Sequence, residues 1–318
     1  MKIIAQMDDI ATINIKTDTT YLLLKYAQEC GHEIFYYTPN SLYFDVNKQN
    51  IGAKISKILL NNSSNFYNIL EESYYLLTDF DIILVRQDPP FNMNYITTTY
   101  FLEKIKDKVL VINEPSQIRN CPEKLFVTNF PDITPPTLIS ADLNAIRKFH
   151  QQHQKIILKP LYSYGGDGVI LIDETASNLT ANFEMMMKLY QAPIIAQKFL
   201  SEVKNGDKRI FLLDGEPIGA ISRMAQNGEI RSNLHIGGYA KKAGLSHRDL
   251  EICKTISWSL KKLDLLIVGI DIIGDYLTEI NVTSPTCIPE INFFNNTRLE
   301  KLILEKIIEK FHNFKNLH

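Results

Sequence analysis

The opening of the chain limits the fold more than any other stretch. "KIIAQM" (2–7) reads as a strand, and a polar segment then runs to Lys16. "TDTTYLLLKYAQECG" (17–31) reads as a helix, with Thr17 or Asp18 placed to cap its start and Gly31 to end it. "HEIFYY" (32–37) is the next strand. Strand, helix and strand in that order make a βαβ unit, which calls for a parallel sheet. "DIILVR" (81–86) and "KVLVIN" (108–113) add buried strands around a helix near 95–106, and "NNSSN" (61–65) reads as an exposed loop tip.

The pattern changes after 114–135, where "EPSQIRNCPEKL" and "PDITPP" mark a boundary. "KIILKP" (155–160) and "VILID" (169–173) are strands joined directly by the glycine-rich "YSYGGDG". After a helical stretch comes the strand "PIIAQKFL" (193–200), then "KRIFLLDGEPIGAISR", two strands around the tight turn Asp214-Gly215. A polar segment (224–244) precedes a helix (247–263), the hairpin "LIVGIDIIGDYLTEINV" and a terminal helix, "RLEKLILEKIIEKF". The second unit is therefore expected to be mostly antiparallel.

Composition removes several function classes. With 318 residues, 45% hydrophobic and 22% charged, the chain has ordinary globular material for two or three domains. A net charge of -2 gives no electrostatic case for nucleic acid or an anionic membrane. No apolar run is long enough to span a bilayer, and Asp8 and Asp9 arrive too soon for a signal-peptide core. Cys30, Cys121, Cys253 and Cys287 are scattered without a CxxC pair. They read as free thiols in a reducing compartment, so the cytoplasm is the expected location.

Three groups of residues are candidates for chemistry. Glu279 and Asn281 share a strand face, and Asp271 lies on the preceding strand. A two-residue turn at Gly274-Asp275 would set Asp271 opposite Thr278; a three-residue loop (274–276) sets it opposite Glu279 and gathers the three. Their oxygen atoms suit Mg²⁺ bridging phosphates, though a solvent-facing strand accounts for them equally well. The glycine loop can bring backbone N–H groups to a phosphate, with Lys159 at the strand end beside it. It matches neither the P-loop nor the dinucleotide pattern, and a plain hairpin turn is the simpler reading. Arg209, Arg223 and Arg231 sit at strand ends and in the polar loop, where they suit phosphate or carboxylate groups or simply water. Arg86 closes a parallel strand at the edge where ligands of such sheets gather. Cys287 reads as a small buried thiol rather than a nucleophile, and His235 as a polar loop residue.

In order, "CPEKL", "IILKP", "AQKFL", "GDKR", "LDGEP", "RSNLHIGG" and "VGIDIIGDYLTEINVTSPTC" closely resemble the bacterial glutathione synthetase family of the ATP-grasp superfamily. The likeness begins at "MDDIATINIKTDTT", takes in "LVRQDPPF" and runs nearly end to end. It implies an α/β chain with a Rossmann-like parallel-sheet domain (1–123), a small ATP-grasp subdomain (124–190) and a C-terminal subdomain with the metal and substrate sites (191–318). The implied reaction joins γ-glutamylcysteine to glycine through an acyl phosphate, with ATP as co-substrate, Mg²⁺ or Mn²⁺ as cofactor, and a homo-oligomer as the expected assembly. The implied ATP-binding residues are Lys124, Lys159, Gly165, Gly166, Gly168, Gln197, Lys198, Phe199, Leu200 and Asp207. Metal ligands would be Asp271, Glu279 and Asn281, and catalytic groups Arg209 and Arg231. Substrate contacts would come from Arg86, Arg223, Asn233, Gly238, Ser284, Pro285 and Thr286. Two departures stand out: Tyr162-Ser163 where relatives often carry Asp-Gly, and His235-Ile236 where small residues are common. The rival readings are another ATP-grasp ligase, an ATP-binding regulator without catalysis and, last, an interaction protein.

Overall fold

The structure is a computed structural model that describes residues 1–62, 65–226 and 237–317. β1 (Lys2–Gln6), α1 (Thr19–Glu29) and β2 (Glu33–Tyr37) form the βαβ unit, with β1 and β2 parallel. Asp18 caps α1 by accepting the Tyr21 N–H at 2.6 Å, and Gly31 ends it with φ at +85°. Next come β3 (Tyr43–Asp45), β4 (Asn50–Leu60) and β5 (Tyr67–Leu76), all antiparallel additions that the sequence does not announce. At the flanks of the loop tip expected at 61–65, Asn61 N–H donates to the Phe66 carbonyl at 2.9 Å; residues 63 and 64 lie outside the described residues. β6 (Ile82–Val85), α2 (Met93–Glu103) and β7 (Leu110–Ile112) complete the layer. The strand order is β3-β4-β2-β1-β6-β7, with β5 on β4, and the parallel strands β2, β1, β6 and β7 form its centre.

α3 (Pro115–Asn120) and α4 (Glu123–Phe126) cross to a second sheet. β8 (Thr137–Ser140), α5 (Leu143–His153), β9 (Ile156–Pro160), β10 (Ile170–Ile172), α6 (Leu179–Tyr190) and β11 (Ile194–Lys198) build it. Its order is β10-β9-β11-β8, antiparallel throughout. Pairing of β11 with β8 and β9 carries this layer through Lys198, past the expected bound at 190.

The third sheet holds β12 (Asp207–Leu213), β13 (Glu216–Met224) and β14 (Tyr239–Lys242), then α7 (His247–Lys262), β15 (Ile267–Ile273) and β16 (Tyr276–Asn281). α8 (Ile288–Asn295) and α9 (Leu299–Leu317) close the chain. The order β14-β13-β12-β15-β16 is antiparallel, as expected. The hairpin turn differs from expectation. Ile273 pairs with Tyr276, so the turn is the two-residue Gly274-Asp275. Asp271 nonetheless faces Glu279, because a β-bulge adds one residue before that pair.

Packing fuses the first and third layers. Ile3, Ile34 and Ile82 share one cluster with Phe211, Ile221, Ile303 and Ile307, each side chain contributing about 1.5–3 kcal/mol on full burial. Asn113, just after β7, donates Nδ2–H to the Ile267 and Val282 carbonyls, both at 2.8 Å, and accepts the Ile267 N–H at 2.9 Å. The middle layer has a core of its own around Ile146, Leu158, Phe183 and Ile194.

Candidate active site

A cavity of about 630 Å³ opens where the three layers meet. Its walls carry Lys124 from α4, Lys159 from β9, Arg209 from β12 and, from the β15–β16 hairpin, Asp271, Glu279 and Asn281. Gly165, Gly166 and Gln197 through Leu200 also line it, as do Asp207, Arg223 and Ser284 through Thr286. The Gln197 side chain turns back into its own sheet, donating to Thr137 Oγ1 at 2.8 Å. Gly168 does not reach the cavity. With φ at +71°, a Cβ there would stand 2.4 Å from the Tyr190 hydroxyl oxygen, so close packing and backbone conformation both require glycine. Gly238 lies at the edge of β14, outside the cavity lining. Arg231, Asn233 and His235 lie outside the described residues.

Strand alternation explains the inward charge. Ile270 and Ile272 pack into the core beneath the sheet, which turns Asp271 to the other face. Its carboxylate accepts Arg209 Nε at 2.5 Å and a second Arg209 nitrogen at 3.0 Å, and lies 2.9 Å from Arg223. Gly269 makes this possible: a Cβ there would sit 2.9 Å from Pro285 Cβ and 3.3 Å from Arg209 Cδ. Burial works against the Asp271 charge, but the two guanidinium groups outweigh it and hold the acid well below the usual carboxylate range. Arg223 also pairs with Asp207. There burial wins: it pushes the Asp207 carboxyl up to about 6 despite Arg223, and the Asp271 carboxylate adds to the rise.

That shift has a testable sign. An acid that holds its proton more tightly in the folded chain than in the unfolded one, whose ordinary pKa is about 3.9, lowers stability as pH rises through the gap. Between about pH 4 and 6, wild type should therefore lose stability relative to Asp207→Asn, and the difference should level off above that range. Denaturant titrations at closely spaced pH values check this; a constant difference would refute it.

The two lysines are buried to similar depth, at 5% and 7% exposure, yet their pKa values are shifted in opposite directions. Burial disfavours the Lys124 ammonium, but Glu279 and Glu123 outweigh it and raise its pKa. Lys124 pairs with Glu123 at 2.8 Å and Glu279 at 3.7 Å, and donates to the Ser163 carbonyl. Lys159 is shifted down by burial, with Lys124 adding repulsion and Glu279 offsetting part of it. A phosphate arriving here would find one cation already neutralised by carboxylates and another in want of an anion.

Oxygen donors suited to a hard divalent cation are present. Asn281 donates Nδ2–H to the Gly269 carbonyl at 3.2 Å, beside Asp271 and on the same face as Glu279. Among the described residues no three His, Cys, Asp or Glu side chains form a metal site by themselves. Two carboxylates and one amide thus fit a cation that takes its remaining ligands from phosphate, as Mg²⁺ commonly does.

A second cavity, of about 520 Å³, adjoins the first. The two share Asp8, Thr12, Asp88, Arg223, Ser284 and Thr286. Arg86 lines only the second; it donates Nε–H to Thr20 Oγ1 at 3.0 Å and another N–H to the Pro285 carbonyl at 2.8 Å. Asp18, Asp88 and Glu290 line the same cavity, each shifted upward by burial. Glu290 Oε2 is buried and makes no hydrogen bond among the described residues. Cys287 is buried beside this cavity and burial raises its pKa, which keeps the thiol protonated. The acidic group escapes a reading by motif. The rule that pointed to Arg86 applies equally to Asp8 beyond β1 and Asp88 beyond β6, at the same sheet edge.

The chain matches two family models in succession: "Prokaryotic glutathione synthetase, N-terminal domain" over residues 1–119 and "Prokaryotic glutathione synthetase, ATP-grasp domain" over residues 123–296. The chain belongs to the prokaryotic glutathione synthetase family. A curated glutathione synthetase from Brucella melitensis is 46% identical over 96% of this chain and 98% of its own length. One from Mesorhizobium japonicum is 44% identical over the same shares. In fold, the D-cycloserine synthetase DcsG superposes with a TM-score of 0.69 at 13% identity, covering 97% of this chain and 99% of that one. Family membership makes the chain an ATP-dependent carboxylate–amine ligase that works with a divalent metal, in line with the resemblance noted from its motifs. No helix among the described residues is long and apolar enough to cross a membrane.

Proposed function

We propose that this chain joins γ-glutamylcysteine to glycine in the cytoplasm, with ATP activating the dipeptide's cysteinyl carboxylate as an acyl phosphate. One observation carries the reading: the lysine-, arginine- and carboxylate-lined cavity runs directly into the acidic cavity around Arg86 at the Ser284–Thr286 turn. ATP occupies the first, its base against Gln197–Leu200 and its phosphates between Lys124, Lys159 and the Gly165-Gly166 backbone. The γ-glutamyl end occupies the second, its carboxylate towards Arg86 and its ammonium towards Asp18, Asp88 and Glu290. The reacting carboxylate then falls at the junction, beside Arg223 and Ser284.

Mg²⁺, or Mn²⁺ in its place, is held by Asp271, Glu279 and Asn281 and when bound neutralises phosphate charge. The remaining work belongs to the side chains. Burial disfavours the Lys159 ammonium, and approaching phosphate oxygens offset that cost, so the contact strengthens as negative charge builds. Arg209 is fixed by Asp271, so it meets the negative charge on the oxygen of the tetrahedral intermediate without reorganising. Arg223 and Asp207 hold the far side of the same network. The family pattern gives Arg231 a catalytic role and Asn233 and Gly238 substrate contacts, and residues 1–123 supply one side of the dipeptide cavity.

Phosphate release tests the assignment. It is expected only with ATP, γ-glutamylcysteine and glycine together, with far slower release when either peptide component is omitted. Equal release with an unrelated amine, or none with the complete set, would refute the substrate pair.

A further inference from the structure

A regular strand sends alternate side chains to opposite faces. β16 departs from this once. Leu277, Ile280 and Val282 lie in the core with Ile270 and Ile272, while Thr278, Glu279 and Asn281 line the cavity. Leu277 and Glu279 are two residues apart and would share a face in an unbroken strand. Without an interruption, either Leu277 would stand among the charges or Glu279 would enter the core.

The interruption is the bulge. Pairing passes from Ile272–Leu277 to Asp271–Glu279, which leaves Thr278 as the extra residue. Bulges re-aim side chains, and this one must be held at a single position for Glu279 to meet Asp271. Thr278 is 6% exposed, and its hydroxyl donates to the Asp271 carbonyl oxygen at 3.0 Å. That bond ties the extra residue to the backbone of the residue across from Glu279.

We propose that Thr278 is a positioning residue whose hydroxyl locks the bulge and thereby sets the affinity of the hairpin for its divalent cation. The inference rests on the reading of Asp271, Glu279 and Asn281 as cation ligands. It concerns a side chain whose hydroxyl is spent on the backbone of its neighbour and acts through it. Groups that orient metal ligands commonly change affinity by about 10–100-fold when removed.

The test is Mn²⁺ binding to the ADP-bound protein, read from the electron paramagnetic resonance signal of the free ion. Thr278→Val keeps the branched shape and removes the donor; it should weaken Mn²⁺ binding about tenfold or more while the thermal midpoint of the ligand-free protein holds. Thr278→Ser keeps the donor and should restore most of the affinity. Wild-type binding by Thr278→Val would overturn the proposal, and so would equal weakness in valine and serine variants, which would place the effect in the methyl group. Should the valine variant fail to fold, serine against alanine decides: serine must bind and alanine must bind weakly. Glu279→Gln is the control for the underlying reading. If it binds Mn²⁺ like wild type, the ligand assignment fails; if it loses binding and Thr278→Val does not, only the Thr278 inference fails.

Discussion

Glu279→Ala is expected to slow ligation on the order of a thousandfold, the effect of losing several kcal/mol of charge stabilisation in the transition state. The fold should survive. Glu279 is only half-buried, and among the described residues it is tied by an ion pair to Lys124 alone, at 3.7 Å. Turnover measured beside a melting curve separates the two effects. A variant that keeps activity within about tenfold of wild type would sink the assignment of Glu279 to the cation.

The second large effect is on stability. Arg223 is buried, pairs with Asp207 and lies 2.9 Å from Asp271. Arg223→Met leaves Asp207 without that partner and should cost about 3–5 kcal/mol, the range for breaking a buried ion pair from one side. The loss comes from burying the Asp207 charge with less positive charge opposite it rather than from missing attraction. Adding Asp207→Asn should therefore recover part of it, and the double variant should be more stable than the two single changes summed. Denaturant titration of the four proteins closes the cycle. A fully stable Arg223→Met would mean that the network is solvated and the burial argument wrong.

The hairpin shows how much of the site was legible in residue order. The polar pair Glu279 and Asn281 among isoleucine and valine marked a strand with one face in use, and Asp271 marked its partner. Their meeting was foreseeable; its cause was not, because an unbroken ladder with the two-residue turn gives the opposite register. Only the differing fates of Leu277 and Glu279 locate the extra residue, and both are ordinary strand residues. The β4–β5 hairpin was hidden for another reason. Along β5, Asn68 through Tyr74 are all exposed, so no buried face imposes a period on the sequence. The acidic cavity was hidden because its carboxylates come from distant segments, each an unremarkable loop or helix-start residue until the sheet edge collects them. The glycine loop was the reverse case. Three glycines suggested three phosphate contacts, yet Gly168 answers to Pro160 and Tyr190.

The amide of Asn113 has a mechanical consequence. It stitches the first sheet to both strands of the metal-site hairpin, and the core beneath is continuous across that seam. Those two layers therefore behave as one solid block, against which neither can hinge without tearing a shared core. The middle layer, with its private core, is the free jaw. Near the mouth the Lys124 bond to Ser163 and the Tyr162 ring stacked on Phe91 at 6.4 Å tie it to the block. Opening of the cavity mouth is therefore expected to fall on that jaw, with Tyr162 as one of its catches.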